Sequence, residues 1–156
     1  MKTFLNTNFK DAVYVQKLNS FNTMLADGQF PASGSFIDVR GYARVAFLIL
    51  VGTLDSALTV KVQQATAANG TLKDVSGATT TIGATDDNKF HVIEVLTDNL
   101  DTANGYRYVT LDVAGAVYEE GVDAEDYAAL VFLGLAPDTE PVTQPAACVA
   151  AVVVAG

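Results

Sequence analysis

The run Gly41-Tyr42-Ala43-Arg44-Val45-Ala46-Phe47-Leu48-Ile49-Leu50-Val51-Gly52 is almost unbroken in its hydrophobicity. After a short turn, Leu58-Thr59-Val60-Lys61-Val62-Gln63-Gln64-Ala65-Thr66 alternates apolar with polar. A continuous apolar run followed by strict alternation predicts a buried strand passing to a half-exposed neighbour. On this reading residues 43–51 form a central strand with no wet face, covered on both sides. In the next strand Leu58, Val60 and Val62 point inward, and Thr59, Lys61 and Gln63 outward.

The same grammar recurs along the chain. Ser35-Phe36-Ile37-Asp38-Val39 opens the regular part. Asn69-Gly70 is a strong turn dipeptide, and a thinner strand follows near 78–82. The polar turn Asp86-Asp87-Asn88-Lys89 precedes Phe90-His91-Val92-Ile93-Glu94-Val95-Leu96, and Asn104-Gly105 opens a strand over 106–113. That strand is expected to place Arg107, Val109, Leu111 and Val113 on one face and Tyr106, Tyr108, Thr110 and Asp112 on the other. A last pair is expected over 127–135 and 147–155. Short strands at this spacing, with Gly, Asn and Asp in the turns, predict an all-β protein, an antiparallel β-sandwich or jelly-roll-like fold. Three parts follow: an extended N-terminal arm over 1–34 with one short strand near Val13 and Val15, a sandwich body over 35–136, and a C-terminal strand over 137–156. Pro137, Pro141 and Pro145 stiffen the approach to that last strand, so its pairing partner is expected some distance from the strand before it.

Composition narrows function mainly by exclusion. At 156 residues the chain fits one domain, able to bury roughly 70% of its unfolded surface. The net charge of −9 repels phosphate backbones and anionic lipid, so nucleic acid and membrane surfaces are poor partners. The N-terminus lacks the apolar run of a signal peptide, and residues 146–155 are too few to span a bilayer, which needs ~20 apolar residues. The chain is expected to be soluble and made without export.

Residues that do chemistry are scarce. His91 is the sole histidine and sits mid-strand, without a Gly-x-Ser-x-Gly elbow to accompany it. One His and one Cys do not furnish a zinc site. Cys148, flanked by alanines, reads as a small buried hydrophobe. Asp86-Asp87-Asn88 and Asp98-Asn99-Leu100-Asp101 carry oxygen donors for a hard cation, without the spacing of a known calcium loop, and Asp and Asn favour turns unaided. Glu119 and Glu120, with Asp123, Glu125 and Asp126, form the densest acidic cluster. They read as a solvated loop, or more sharply as a docking patch for a basic surface. Tyr106 and Tyr108 read as packed aromatics, or as a small platform for a sugar or a partner chain. Val149, Val152, Val153 and Val154 would make an aggregation-prone edge if left unpaired, which marks them as a subunit contact. No enzyme, cofactor or metal is expected.

Three segments carry a family resemblance: Ile37-Asp38-Val39-Arg40-Gly41-Tyr42-Ala43-Arg44-Val45, the strand from Leu58 through Asn69-Gly70 to Ala78, and Leu100-Asp101-Thr102-Ala103-Asn104-Gly105-Tyr106-Arg107-Tyr108-Val109-Thr110-Leu111. Over roughly 36–135 the chain resembles the decoration (cement) proteins of tailed bacteriophages. The resemblance implies a homotrimer on the capsid exterior, with the major capsid protein and itself as partners and the virion as its location. It supplies no catalytic residues. A tail, neck or head-fibre base component, or a carbohydrate-binding module using Tyr106 and Tyr108, are the alternatives.

Overall fold

The computed structural model describes residues 9–117, 125–139, 141–146 and 148. A single helical turn, α1 (Phe9–Ala12), leads directly into β1 (Val13–Lys17). Next come β2 (Gly28–Phe30), β3 (Ile37–Asp38), β4 (Tyr42–Val51) and β5 (Leu58–Ala65). The chain continues through β6 (Lys73–Ile82), β7 (Phe90–Leu96), β8 (Tyr108–Ala114) and β9 (Ala128–Pro137). One sheet has the order β1-β9-β4-β7, the other β2-β8-β5-β6 with β3 also on β8. All pairings are antiparallel. The molecule is therefore an all-β sandwich. The segment 1–34, expected as an arm with one strand, supplies β1 to the first sheet and β2 to the second.

Alternation decides which side of each strand meets the other sheet. Leu58, Val60 and Val62 of β5 are fully buried while Thr59 is exposed, as the sequence predicts. From the first sheet Val45, Phe47 and Ile49 of β4, with Leu130 and Phe132 of β9, meet them with no exposed surface. Phe47 and Phe132 pack edge to face with ring centres 5.4 Å apart, an arrangement that favours aromatic pairs beyond their buried area. Tyr14 extends the cluster to Phe132 and Tyr42 at 6.2 and 6.1 Å. The Tyr42 ring lies over Gly134, where an added methyl would stand 2.6 Å from Cε1. Only a residue without a side chain leaves room for that ring.

Several expectations need correction. β4 is not covered on both sides: Ala43, Arg44 and Leu50 are exposed and Leu48 is half-buried. The outer face of this sheet is apolar, but among the described residues no further layer covers it at Leu50. The strand expected near 78–82 begins at Lys73, because it pairs along β5 through a register shift between Lys61 and Gln63. β8 begins at Tyr108, so Tyr106 lies before the strand, and Arg107 does not join the buried face but keeps its side chain 40% exposed. Thr110, expected outward, is wholly buried, because the chain between β2 and β3 crosses over it and Pro31 accepts its hydroxyl hydrogen bond at 2.7 Å. Cys148 is exposed rather than buried, and follows a tight turn in which its N–H donates to the Pro145 carbonyl.

Candidate functional site

The outward positions of the first sheet form its most unusual surface. On β4 these are Arg44, Leu48 and Leu50, with Ala46 buried between them, and on β7 Phe90, Val92, Glu94 and Leu96. The register places Leu48 against Val92, Leu50 against Phe90, Ala46 against Glu94 and Arg44 against Leu96. Phe90 is 67% exposed and Val92 51%, with Leu50 and Leu96 above two-fifths. The apolar surface continues inward over Val131 and Leu133 of β9, both half-buried, which pair with Leu48 and Ala46. Contiguous exposed patches of this kind on soluble proteins mark interaction sites, whereas single exposed apolar residues do not. The strip's two charges neutralise each other, since Arg44 Nη1 donates to Glu94 Oε1 at 2.8 Å.

The strip ends on a sheet edge, and edges are where chains pair with one another. Among the described residues, three of the four edges carry protection. At β1 the Gln144 side chain takes the place of a neighbouring strand: Val15 N–H donates to Oε1 at 3.1 Å, and Nε2 donates to the carbonyls of Val13 and Lys10 at 2.6 and 2.9 Å. On the far side of β8 the edge is broken into β2 and β3, of three and two residues, with Pro31 between them. β6 is interrupted by its register shift and by Gly77 at φ +77°, and it carries Lys73 and Asp74. β7 has none of these devices: no proline, no lysine, and its carboxylate engaged by Arg44. Sequence reasoning missed Phe90, Val92 and Leu96 as site residues. The available signal was the apolar character of both faces of 90–96 in a strand that lies at an edge.

Each of the tyrosines identified in the sequence is half-buried and has a cation beside its ring. Lys73 Nζ stands 5.1 Å from the Tyr106 ring centre, and the Arg107 guanidinium 5.2 Å from that of Tyr108. Lys73 is also paired with Asp101 at 2.7 Å, and Lys73 and Asn104 together hold the Asp101 carboxyl below its ordinary range. A cleft of about 370 Å³ lies beside this region, lined by Arg40, Tyr42, Thr97, Asp98, Thr102 and Arg107. Its cations already have a carboxylate: Arg40 Nε and Nη2 donate to Asp38 at 3.0 and 2.6 Å, and Arg107 Nε lies 3.8 Å from the same group. Burial alone would raise the Asp38 pKa, but these hydrogen bonds and charges hold it low.

The carboxylates of the turns bind backbone. Asp126 is fully buried, yet it accepts from the N–H groups of Asp55, Ser56 and Val117 and from the Ser56 hydroxyl at 2.7–3.3 Å. Burial pushes its pKa up, and those four donors more than reverse the effect. Asp86 accepts from Gly83 N–H and Lys89, with His91 3.6 Å away. Among the described residues no three His, Cys, Asp or Glu side chains gather to hold a metal ion. No described helix is long and apolar enough to cross a membrane. Glu119, Glu120, Val149, Val152, Val153 and Val154 lie outside the described residues.

Of Tyr106, Tyr108, Glu119, Glu120 and the C-terminal valines, only the tyrosines are described, and the prominent described surface is one made by β4 and β7. Compared with protein-family models and with curated protein sequences, the chain matches none.

Proposed function

We propose that this chain is a non-enzymatic virion structural protein that seats as a homotrimer on the exterior of a phage capsid and stabilises its lattice. The observation that carries the reading is the apolar strip Leu50–Phe90–Val92, continued at Leu96, on a sheet edge that no described residue protects. Such a surface suits a protein that spends its life assembled with others. The resemblance of residues 36–135 to decoration proteins supplies the capsid. Further support comes from the polar side chains, whose contacts are those of a scaffold: Asp126 ties turns together, and Asp38 and Asp101 hold cations at the surface.

Adding the purified protein to capsids assembled without it tests the function. Saturable occupancy at repeated lattice positions is expected, with capsids that withstand heating better once occupied. Absence of saturable binding overturns the capsid reading, and density confined to the tail or neck in electron micrographs replaces it with the tail reading.

A further inference from the structure

We propose that Asn69 is a site of spontaneous deamidation and isoaspartate formation, and that its conversion unfastens the chain between β2 and β3 from the turn after β5. The reaction needs only water and the pair Asn69-Gly70, and it is independent of the capsid reading.

The chemistry is internal to the pair. The Gly70 backbone nitrogen bonds to Asn69 Cγ as the Cγ–Nδ2 bond breaks, and Nδ2 leaves as ammonia, taking the Gly70 proton. Water then opens the cyclic imide, its hydroxyl going to one carbonyl carbon and its remaining proton to the Gly70 nitrogen. Opening at Cγ leaves ordinary aspartate. Opening at the Asn69 main-chain carbonyl leaves isoaspartate, in which the backbone runs through Cγ and is one carbon longer. Gly70 eases the first step, because no Cβ stands beside the attacking nitrogen.

The fold separates the two Asn-Gly pairs of the chain, Asn69-Gly70 and Asn104-Gly105. Both glycines close the same kind of turn: Gly70 N–H donates to the Ala67 carbonyl and Gly105 N–H to that of Thr102, each at 3.0 Å. Their asparagines differ. Asn104 Nδ2 donates to Asp101 Oδ1 at 2.8 Å, and Lys73 Nζ holds the other oxygen of that carboxylate at 2.7 Å. That amide must give up its bond before Cγ can turn towards Gly105. Asn69 is exposed, and its amide has no hydrogen-bond partner among the described residues. Packing also keeps the reactive glycine in place, since a Cβ on Gly70 would stand 3.1 Å from Ala67 N.

The consequence follows from what the turn holds. The carbonyl of Ala68, next to Asn69, accepts from Gly34 N–H at 2.9 Å and from Phe36 N–H at 3.2 Å. These bonds fasten the crossing chain whose Pro31 covers Thr110. An added main-chain carbon at residue 69 takes Gly70 N–H away from Ala67 and swings the Ala68 carbonyl off its two donors.

The experiment incubates the full chain at pH 8 in water enriched in oxygen-18, once folded and once in urea, and reads tryptic peptides by mass spectrometry. Trypsin places Asn69 in the peptide 62–73 and Asn104 in 90–107. In the folded chain 62–73 is expected to gain label about fivefold faster, the factor that one ordinary hydrogen bond is worth. In urea the two peptides should run alike. Equal rates in the folded chain, or label in 62–73 only in urea, overturn the site, as does label that persists in that peptide of an Asn69→Gln chain. The aged fraction, with one more negative charge than the native −9, is then isolated by anion exchange. Its hydrogen exchange at Gly34 and Phe36 is expected to be about fivefold faster than in fresh protein. An Asn69→Asp chain, which has the charge without the added carbon, should exchange like fresh protein. Unchanged exchange in the aged fraction overturns the unfastening and leaves the modification standing; equally fast exchange in Asn69→Asp overturns the role of the added carbon.

Discussion

At the scale of single residues, Asp126 does the most for the fold with one side chain. Its carboxylate joins the turn after β4 to both ends of the segment between β8 and β9, through four donors in a site without solvent. Asp126→Asn keeps the shape but removes the charge that those donors face, and it is expected to cost about 1.5–3 kcal/mol, the range for hydrogen bonds to an ionised group. Its folded pKa lies below the unfolded value, so its contribution is complete above that unfolded value, near 3.9, and disappears as pH falls towards the folded one. Urea titrations are expected to show a larger difference between native and variant protein at pH 7 than at pH 3. Gly134 makes a different demand, for empty space. Gly134→Ala is expected to lose about 1–3 kcal/mol by overpacking against Tyr42. In a Tyr42→Ala background the same change is expected to cost almost nothing, and a double-mutant cycle of melting curves reads that coupling.

Among the elements, β1 shows how a strand is completed by a side chain. Gln144 bonds the outward backbone groups of Val13 and Val15, and the Val142 N–H donates to Asp11, so residues 142–144 run alongside β1 in its own direction. Gln144→Ala is expected to speed hydrogen exchange at Val15 by about fivefold, for one lost bond worth about 1 kcal/mol. The amides of Phe47 and Phe132 should not change. Nothing in the sequence around Gln144 announces this clamp, because it depends on a contact across more than a hundred residues. The strands themselves were far more legible. Alternation in 58–65 assigned Leu58, Val60 and Val62 inward correctly but not the buried Gln64 and Ala65, and the turn dipeptides separated the elements. Legibility failed where tertiary neighbours decide burial. Thr110 is polar by type but covered by Pro31, and Leu50 is apolar but uncovered because its strand has one neighbouring sheet and not two. The strip on β4 and β7 could not be read either: an apolar run reveals that a strand avoids water, and not which layer provides the shelter.

For the whole molecule, the order β1-β9-β4-β7 has a consequence for the newly made chain. β9 is the wedge between β1 and β4, so two of the three ladders in that sheet must wait until residue 137 has left the ribosome. Until then β1 has no neighbour, and the most apolar strand of the protein is paired on one side alone, with β7. Pairings this distant in sequence form slowly, and their exposed strands are open to aggregation meanwhile. The last stretch of synthesis, rather than the first, therefore governs the yield of folded protein, and slowing translation before residue 128 would lengthen the hazardous interval rather than relieve it.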